Sequence, residues 1–104
     1  MRALVIPQAA VRDEGSVEVA RVWIAERGLH CALKVGMYAE AGVQRETSAW
    51  GIILADMAGH VADALSKDGM GNRAELFQAI LESFIEETTA PSSALTGEAA
   101  PKVS

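Results

Sequence analysis

The sequence has a single cysteine and no cluster of basic residues, and each of these absences excludes a class of protein. Cys31 is the only cysteine in 104 residues, so no disulfide can form within the chain. The 9 Lys and Arg residues are outnumbered by 14 Asp and Glu residues and are scattered along the chain. This distribution does not suit a surface that follows phosphates. We therefore expect a cytoplasmic protein with no nucleic-acid partner.

The sequence also lacks a long uninterrupted hydrophobic run. Its most apolar stretch, residues 50–64, contains two aspartates and a histidine, whereas a bilayer span needs roughly 20 apolar residues. Near the N-terminus, Pro7 interrupts the apolar residues 3–6 before they reach the roughly 7 to 15 residues of a secretion signal. These interruptions predict no membrane partner.

Residues 88–104 are rich in Ala, Ser, Thr and Pro and contain no aromatic side chain. Their two charges, Glu98 and Lys102, cancel, so the net charge of -5 belongs to the rest of the chain. A segment of this composition buries too little apolar surface to order itself. We predict a single domain over residues 1–87, followed by a disordered tail over 88–104.

Two apolar runs of strand length occupy residues 17–25 and 29–38, and the short segment Glu26-Arg27-Gly28 lies between them. This pattern predicts an antiparallel hairpin in which Gly28 supplies the positive φ of the turn. The second run alternates, and one of its faces is expected to be core. That face carries Leu29, Cys31, Leu33, Val35 and Met37.

The loop length decides which face of the first strand joins this core face. A two- or four-residue loop places Ala20, Val22 and Ile24 there, whereas a three-residue loop with a bulge places Val19, Arg21 and Trp23 there. We favour the first register because it keeps Arg21 out of the core. Residues 3–6 could add a short third strand, ended by Pro7.

From about Gln44 to Lys67 the apolar period becomes helical. Three stripes run along this helix, and we expect the sheet to cover the bulky stripe and another element to cover the small stripe. The bulky stripe consists of Trp50, Ile53, Leu54, Met57, Val61, Ala64 and Leu65, the small stripe of Gly51, Ala55, Gly59, Ala62 and Ser66, and the polar stripe of Asp56, His60, Asp63 and Lys67.

A second amphipathic helix is predicted from about Arg73 to Glu87, with Asn72 as its N-cap and Glu75 three residues later. The complete pattern predicts an α+β fold. It is a two-layer β-β-α-α arrangement in which an antiparallel hairpin sheet packs on a long central helix and on this second helix. The apolar side chains left on the outer sheet face and around the long helix favour a homodimer, with room for a further, unidentified protein partner.

Two sets of residues are candidate binding sites, and no catalytic residue and no cofactor is predicted. On the outer sheet face, cationic and aromatic side chains could hold a small planar anion, although an ordinary solvated face has the same composition. On the polar stripe, acidic and histidine side chains at i, i+4 and i+7 could ligate a metal, although such a stripe is usually the solvated side of a helix. The first set is Arg21, Trp23, His30, Lys34 and Tyr38, and the second is Asp56, His60 and Asp63.

Several short strings between Val17 and Leu81 resemble the small bacterial proteins of domain-of-unknown-function family 5076. They are RVWIA at 21–25, GLH at 28–30, VGMY at 35–38, AWGIILAD at 49–56 and HVA at 60–62. The resemblance implies a bacterial, cytoplasmic protein and brings no activity, cofactor or site residue with it.

The leading hypothesis is a non-enzymatic, homodimeric interaction or regulatory module. The alternatives are an anionic-ligand-binding domain and, third, a metal-dependent enzyme.

Overall fold

The computed structural model describes residues 1–91 and 99–100, which fall into two compact units. The first unit contains the described residues up to Val35 together with Ala99–Ala100, and the second contains those from Gly36 onward. The element order confirms the α+β, β-β-α-α class. The elements are α1 (Gln8–Arg12), β1 (Ala20–Ala25), β2 (Gly28–Leu33), a 3-10 turn (Ala39–Ala41), α2 (Val43–Lys67), α3 (Arg73–Thr89) and β3 (Ala99–Ala100).

The hairpin has the favoured register. β1 and β2 are antiparallel, with Val22 opposite Cys31 and Ile24 opposite Leu29. Ile24 nevertheless exposes 86% of its surface and Leu29 exposes 54%. The expectation that this face is core is therefore not met within the described residues, because two strands cannot cover their own face.

The hairpin turn differs from the expectation. Its two central residues are Glu26 and Arg27, with φ of 50° and 64°, whereas Gly28 is buried and begins β2 opposite Ala25. In a two-residue loop of type I′ both central residues have positive φ, which matches the twist of the flanking strands. The prediction that Gly28 supplies the positive φ is therefore wrong.

The third strand is not where residues 3–6 suggested. Those residues form no strand, and the chain turns at once into α1, where the Pro7 carbonyl oxygen accepts the Ala10 N–H at 3.0 Å. The fixed φ of proline suits a helix start better than a strand. Instead, β3 pairs in parallel with Cys31 and Ala32 of β2.

Most of the predicted tail, residues 88–104, lies outside the described residues, and its disorder stays a prediction. Its first two residues belong to the last turn of α3, which ends at Thr89.

In the second unit, α3 is the element that packs on the small stripe of α2, and it covers the part from Gly59 to Ser66, while Gly51 and Ala55 stay exposed. Ala62 is 0% exposed. A Cβ on Gly59 would come within 3.2 Å of the Arg73 guanidinium. Ser66 Oγ donates to the Gly71 carbonyl oxygen at 2.9 Å, in the turn between the helices. Small side chains thus allow the two helices to approach closely.

The predicted N-cap of α3 is confirmed, because Asn72 Oδ1 accepts the N–H groups of Ala74 at 2.9 Å and Glu75 at 3.3 Å. Part of the bulky stripe of α2 is accessible: Leu54, Met57 and Val61 each expose about half of their surface. No helix in the described part of the chain has both the length and the hydropathy that a membrane span requires.

Candidate functional site

The outer face of the hairpin brings together four of the five side chains predicted as a ligand site. Trp23 lies directly opposite His30. Arg21 shares their face, since it is two residues from Trp23 along β1. Lys34 follows β2, and its N–H donates to the Val19 carbonyl oxygen at 2.9 Å, which extends the same alternation. Tyr38 belongs to the second unit.

Arg21 is held by a neighbouring carboxylate. Its Nε and Nη2 donate to the two carboxylate oxygens of Glu18 at 3.1 and 3.0 Å. The hydrogen bonds that Glu18 accepts, and then its negative charge, raise the pKa of Arg21 above its ordinary value. The side-on contact occupies one edge of the guanidinium and leaves its flat faces available for stacking.

A shallow cavity of about 320 Å³ lies over this face, with Arg21, Trp23, Glu26 and His30 among its lining residues. His30 Nε2 donates to the Ala25 carbonyl oxygen at 3.0 Å, which fixes the orientation of the ring. The volume lies at the lower end of the roughly 300 to 1,000 Å³ of ligand pockets. Because Glu18 and Glu26 are both nearby, the positive charge that a bound anion would meet is small.

The polar stripe of α2 joins the helices of the second unit. Asp63 Oδ1 accepts from Arg73 Nε at 2.9 Å, and the Arg73 guanidinium lies 5.8 Å from the centre of the Phe77 ring. Asp56 and His60 are exposed. Within residues 1–91 and 99–100, no three His, Cys, Asp or Glu side chains are grouped as a metal site requires. The proposed metal site gains no support from this geometry.

A carboxylate that the sequence did not point to as a site residue accepts three hydrogen bonds. Glu46 accepts the N–H groups of Gly36 at 2.7 Å and Tyr38 at 2.8 Å, and the Trp50 indole N–H at 2.9 Å. It therefore ties residues 36–38 to the first turn of α2. The sequence does contain a signal for Glu46: it is an acidic residue in the first turn of a predicted helix, four residues before a tryptophan.

Comparison with solved structures finds proteins with a similar fold. A structure described as "a putative pyruvate dehydrogenase from the photosynthetic bacterium Rhodopseudomonas palustrus CGA009" matches with a TM-score of 0.68 and 23% sequence identity, over 97% of each chain. At this identity the similarity concerns the fold alone. No curated protein matches the sequence.

The sequence model of one protein family covers residues 3–92, which include both strands of the hairpin and both long helices. The segment that suggested the resemblance, residues 17–81, lies entirely within this match. The chain belongs to the DUF5076 family, a domain of unknown function.

Proposed function

We propose that this protein is a small cytoplasmic interaction or regulatory module that acts as a homodimer and has no catalytic activity of its own. One observation carries the proposal: within the described residues, Ala62 is the only buried hydrophobic side chain, while twenty large hydrophobic side chains are exposed. Scattered apolar residues are normal on a monomer, but continuous apolar stripes are typical of interfaces.

The exposed side chains of the second unit form such stripes. On α2, Leu54, Met57 and Val61 are spaced at i, i+3 and i+7, and on α3, Phe84 and Ile85 continue a similar stripe with Leu81. Two helices share only one seam, so the remaining apolar arcs need a further element. A second copy of the helix pair can supply this element, because two helix pairs form a four-helix bundle. A two-fold axis then places each apolar stripe against the same stripe of the second copy.

The hydrogen bonds of the carboxylates support a role in assembly rather than in catalysis. The carboxylates of Glu18, Glu46 and Asp63 are each hydrogen-bonded to a neighbouring segment of their own unit. Cys31 is a free cysteine, which is compatible with the proposed cytoplasmic location.

Light scattering after gel filtration and native mass spectrometry test the proposal on the full chain at micromolar concentration. The expected particle has twice the 11.0 kDa mass of the chain. Val61→Lys introduces a charge into the bulky stripe and is expected to weaken the dimer at least tenfold. His60→Lys, a matched control on the polar stripe of the same helix, should leave it unchanged. A wild-type monomer at these concentrations would refute the homodimer.

The cavity over the outer sheet face favours a second candidate function, the binding of a small planar anion beside Arg21 and Trp23. Native mass spectrometry of freshly purified protein would then show a reproducible extra mass. Arg21→Ala should remove that mass, whereas Arg27→Ala in the same hairpin should not. A bare chain mass in every preparation counts against this function.

A further inference from the structure

We infer that the free edge of β1 pairs with β1 of a second copy, antiparallel and centred on Val22, so that the two sheets become one. The inference rests on the proposed homodimer and adds a second contact surface, on the hairpin unit, to the helix stripes. The strand order is β1-β2-β3, so within the described residues β1 is paired on one side only. An edge of this kind is a template for a further strand.

The hairpin register determines which backbone groups this edge presents. Because the Lys34 N–H donates to the Val19 carbonyl oxygen, the odd-numbered residues of β1 direct their backbone groups towards β2. Backbone direction alternates along an antiparallel strand. Ala20, Val22 and Ile24 therefore direct their N–H and C=O groups outward.

The edge borders a cavity, and within the described residues no other strand is paired with it on that side. This cavity of about 620 Å³ is lined by residues 20–23 of β1 together with residues 2–7, 10–11 and 16–18 of the same unit. Residues 2–7 make no strand pairing with β1. The strand contains no Pro or Lys, the residues with which edges are commonly blocked. A second strand can thus enter without displacing a paired one.

Two-fold symmetry selects one register. All three outward residues are paired only when Val22 faces Val22 of the second copy and Ala20 faces Ile24, which gives about six backbone hydrogen bonds. If the second strand is shifted by two residues in either direction, either Ala20 or Ile24 of each copy has no partner within the strand. The side chains also stay on matching faces, since the shift between opposed positions is even.

The same register places unlike and complementary side chains opposite each other. Arg21 faces Trp23 of the second copy, and by symmetry the pair occurs twice, in the close non-hydrogen-bonded positions of the ladder. Glu18 holds one edge of the Arg21 guanidinium, so a flat face can stack on the indole as a cation–π pair. On the other face, the apolar side chains of Val22 meet each other at the axis.

Cysteine cross-linking in a Cys31→Ala background tests the inference on the full chain. Val22→Cys should form a disulfide-linked dimer under mild oxidation, because its Cα lies about 5.5 Å from its symmetry mate. Ile24→Cys is the matched control, and its mate lies four residues away along the strand, about 13 Å. Random collision would favour the opposite order, since Ile24 is 86% exposed and Val22 is 50% exposed.

Val22→Pro provides a second measurement. It removes an outward N–H without touching a bond between β1 and β2, and it should weaken the dimer at least tenfold while far-UV circular dichroism stays unchanged. Val22→Thr keeps the N–H and should leave the dimer intact. A dimer in which Val22→Cys does not cross-link, or in which Ile24→Cys does, overturns the inference but not the proposed homodimer. A wild-type monomer overturns both.

Discussion

The two units of this protein are held together in different ways. In the helical unit, side chains make the connections: Glu46 binds the preceding turn, Asn72 caps α3, and Arg73 bridges to Asp63. In the hairpin unit, the backbone ladder makes them, and the side chains of both faces remain largely accessible. The comparison suggests that the helical unit depends on particular residues, whereas the hairpin depends on its turn and on what covers it.

The largest effect should come from the helix seam. Ala62→Leu forces a large side chain into the fully buried position between α2 and α3, and we expect a loss of about 3 kcal/mol in the free energy of unfolding. Ala64→Leu places the same side chain on an exposed position of the same helix and should cost little. Urea unfolding at one fixed protein concentration measures both variants. Equal effects would show that the seam is not closely packed.

Glu46→Ala should have the next largest effect. It leaves three donors without their acceptor, and we expect a loss of about 2 kcal/mol, since charge-assisted hydrogen bonds contribute more than neutral ones. Trp50 fluorescence should change because the indole N–H loses its partner, while Glu40→Ala, in the same loop region, should change neither quantity. An unchanged free energy of unfolding would mean that water replaces the carboxylate at no cost.

The hairpin should respond most to its turn. Replacing Glu26-Arg27 by Asn-Gly supplies residues that accept positive φ, and we expect a gain of about 1 kcal/mol. Glu26→Val, a β-branched residue at the same φ, should have the opposite sign. Thermal unfolding of the two variants decides the matter. If both shift the midpoint in the same direction, the turn conformation is not what limits the hairpin.

The smallest effect is expected at the Asp63–Arg73 ion pair. Both side chains are about half exposed, so a double-mutant cycle of Asp63→Ala and Arg73→Ala should give a coupling of about 0.5 kcal/mol. The coupling should decrease as salt is added, because exposed pairs are screened. A coupling above about 2 kcal/mol would place this pair among the main supports of the helical unit.

Much of the fold could be predicted from local pattern. Loop length left two strand registers open, and the preference for keeping Arg21 out of the core favoured the correct one, because a slip by one residue turns every side chain to the opposite face. The stripe of Gly59 and Ala62 indicated that another element packs closely on α2, because only small residues allow such an approach, and the structure identifies that element as α3. Less of the candidate site was predictable: Arg21, Trp23, His30 and Lys34 share a face, but Tyr38 lies in the other unit.

The sequence by itself determined the β-β-α-α order, the cap at Asn72 and the stripe of small residues on α2, since each depends on residues that are close in the chain or periodic along it. It favoured one of two strand registers, and the structure has that register. Only the tertiary structure decided that Glu26 and Arg27 carry the positive φ, that β3 rather than residues 3–6 joins the sheet, and that Glu46 anchors the loop before α2. These features depend on which backbone donors and acceptors remain after the local structure has formed. The tertiary structure decides which partners these remaining donors and acceptors find, and the spacing of residues in the sequence does not reveal it.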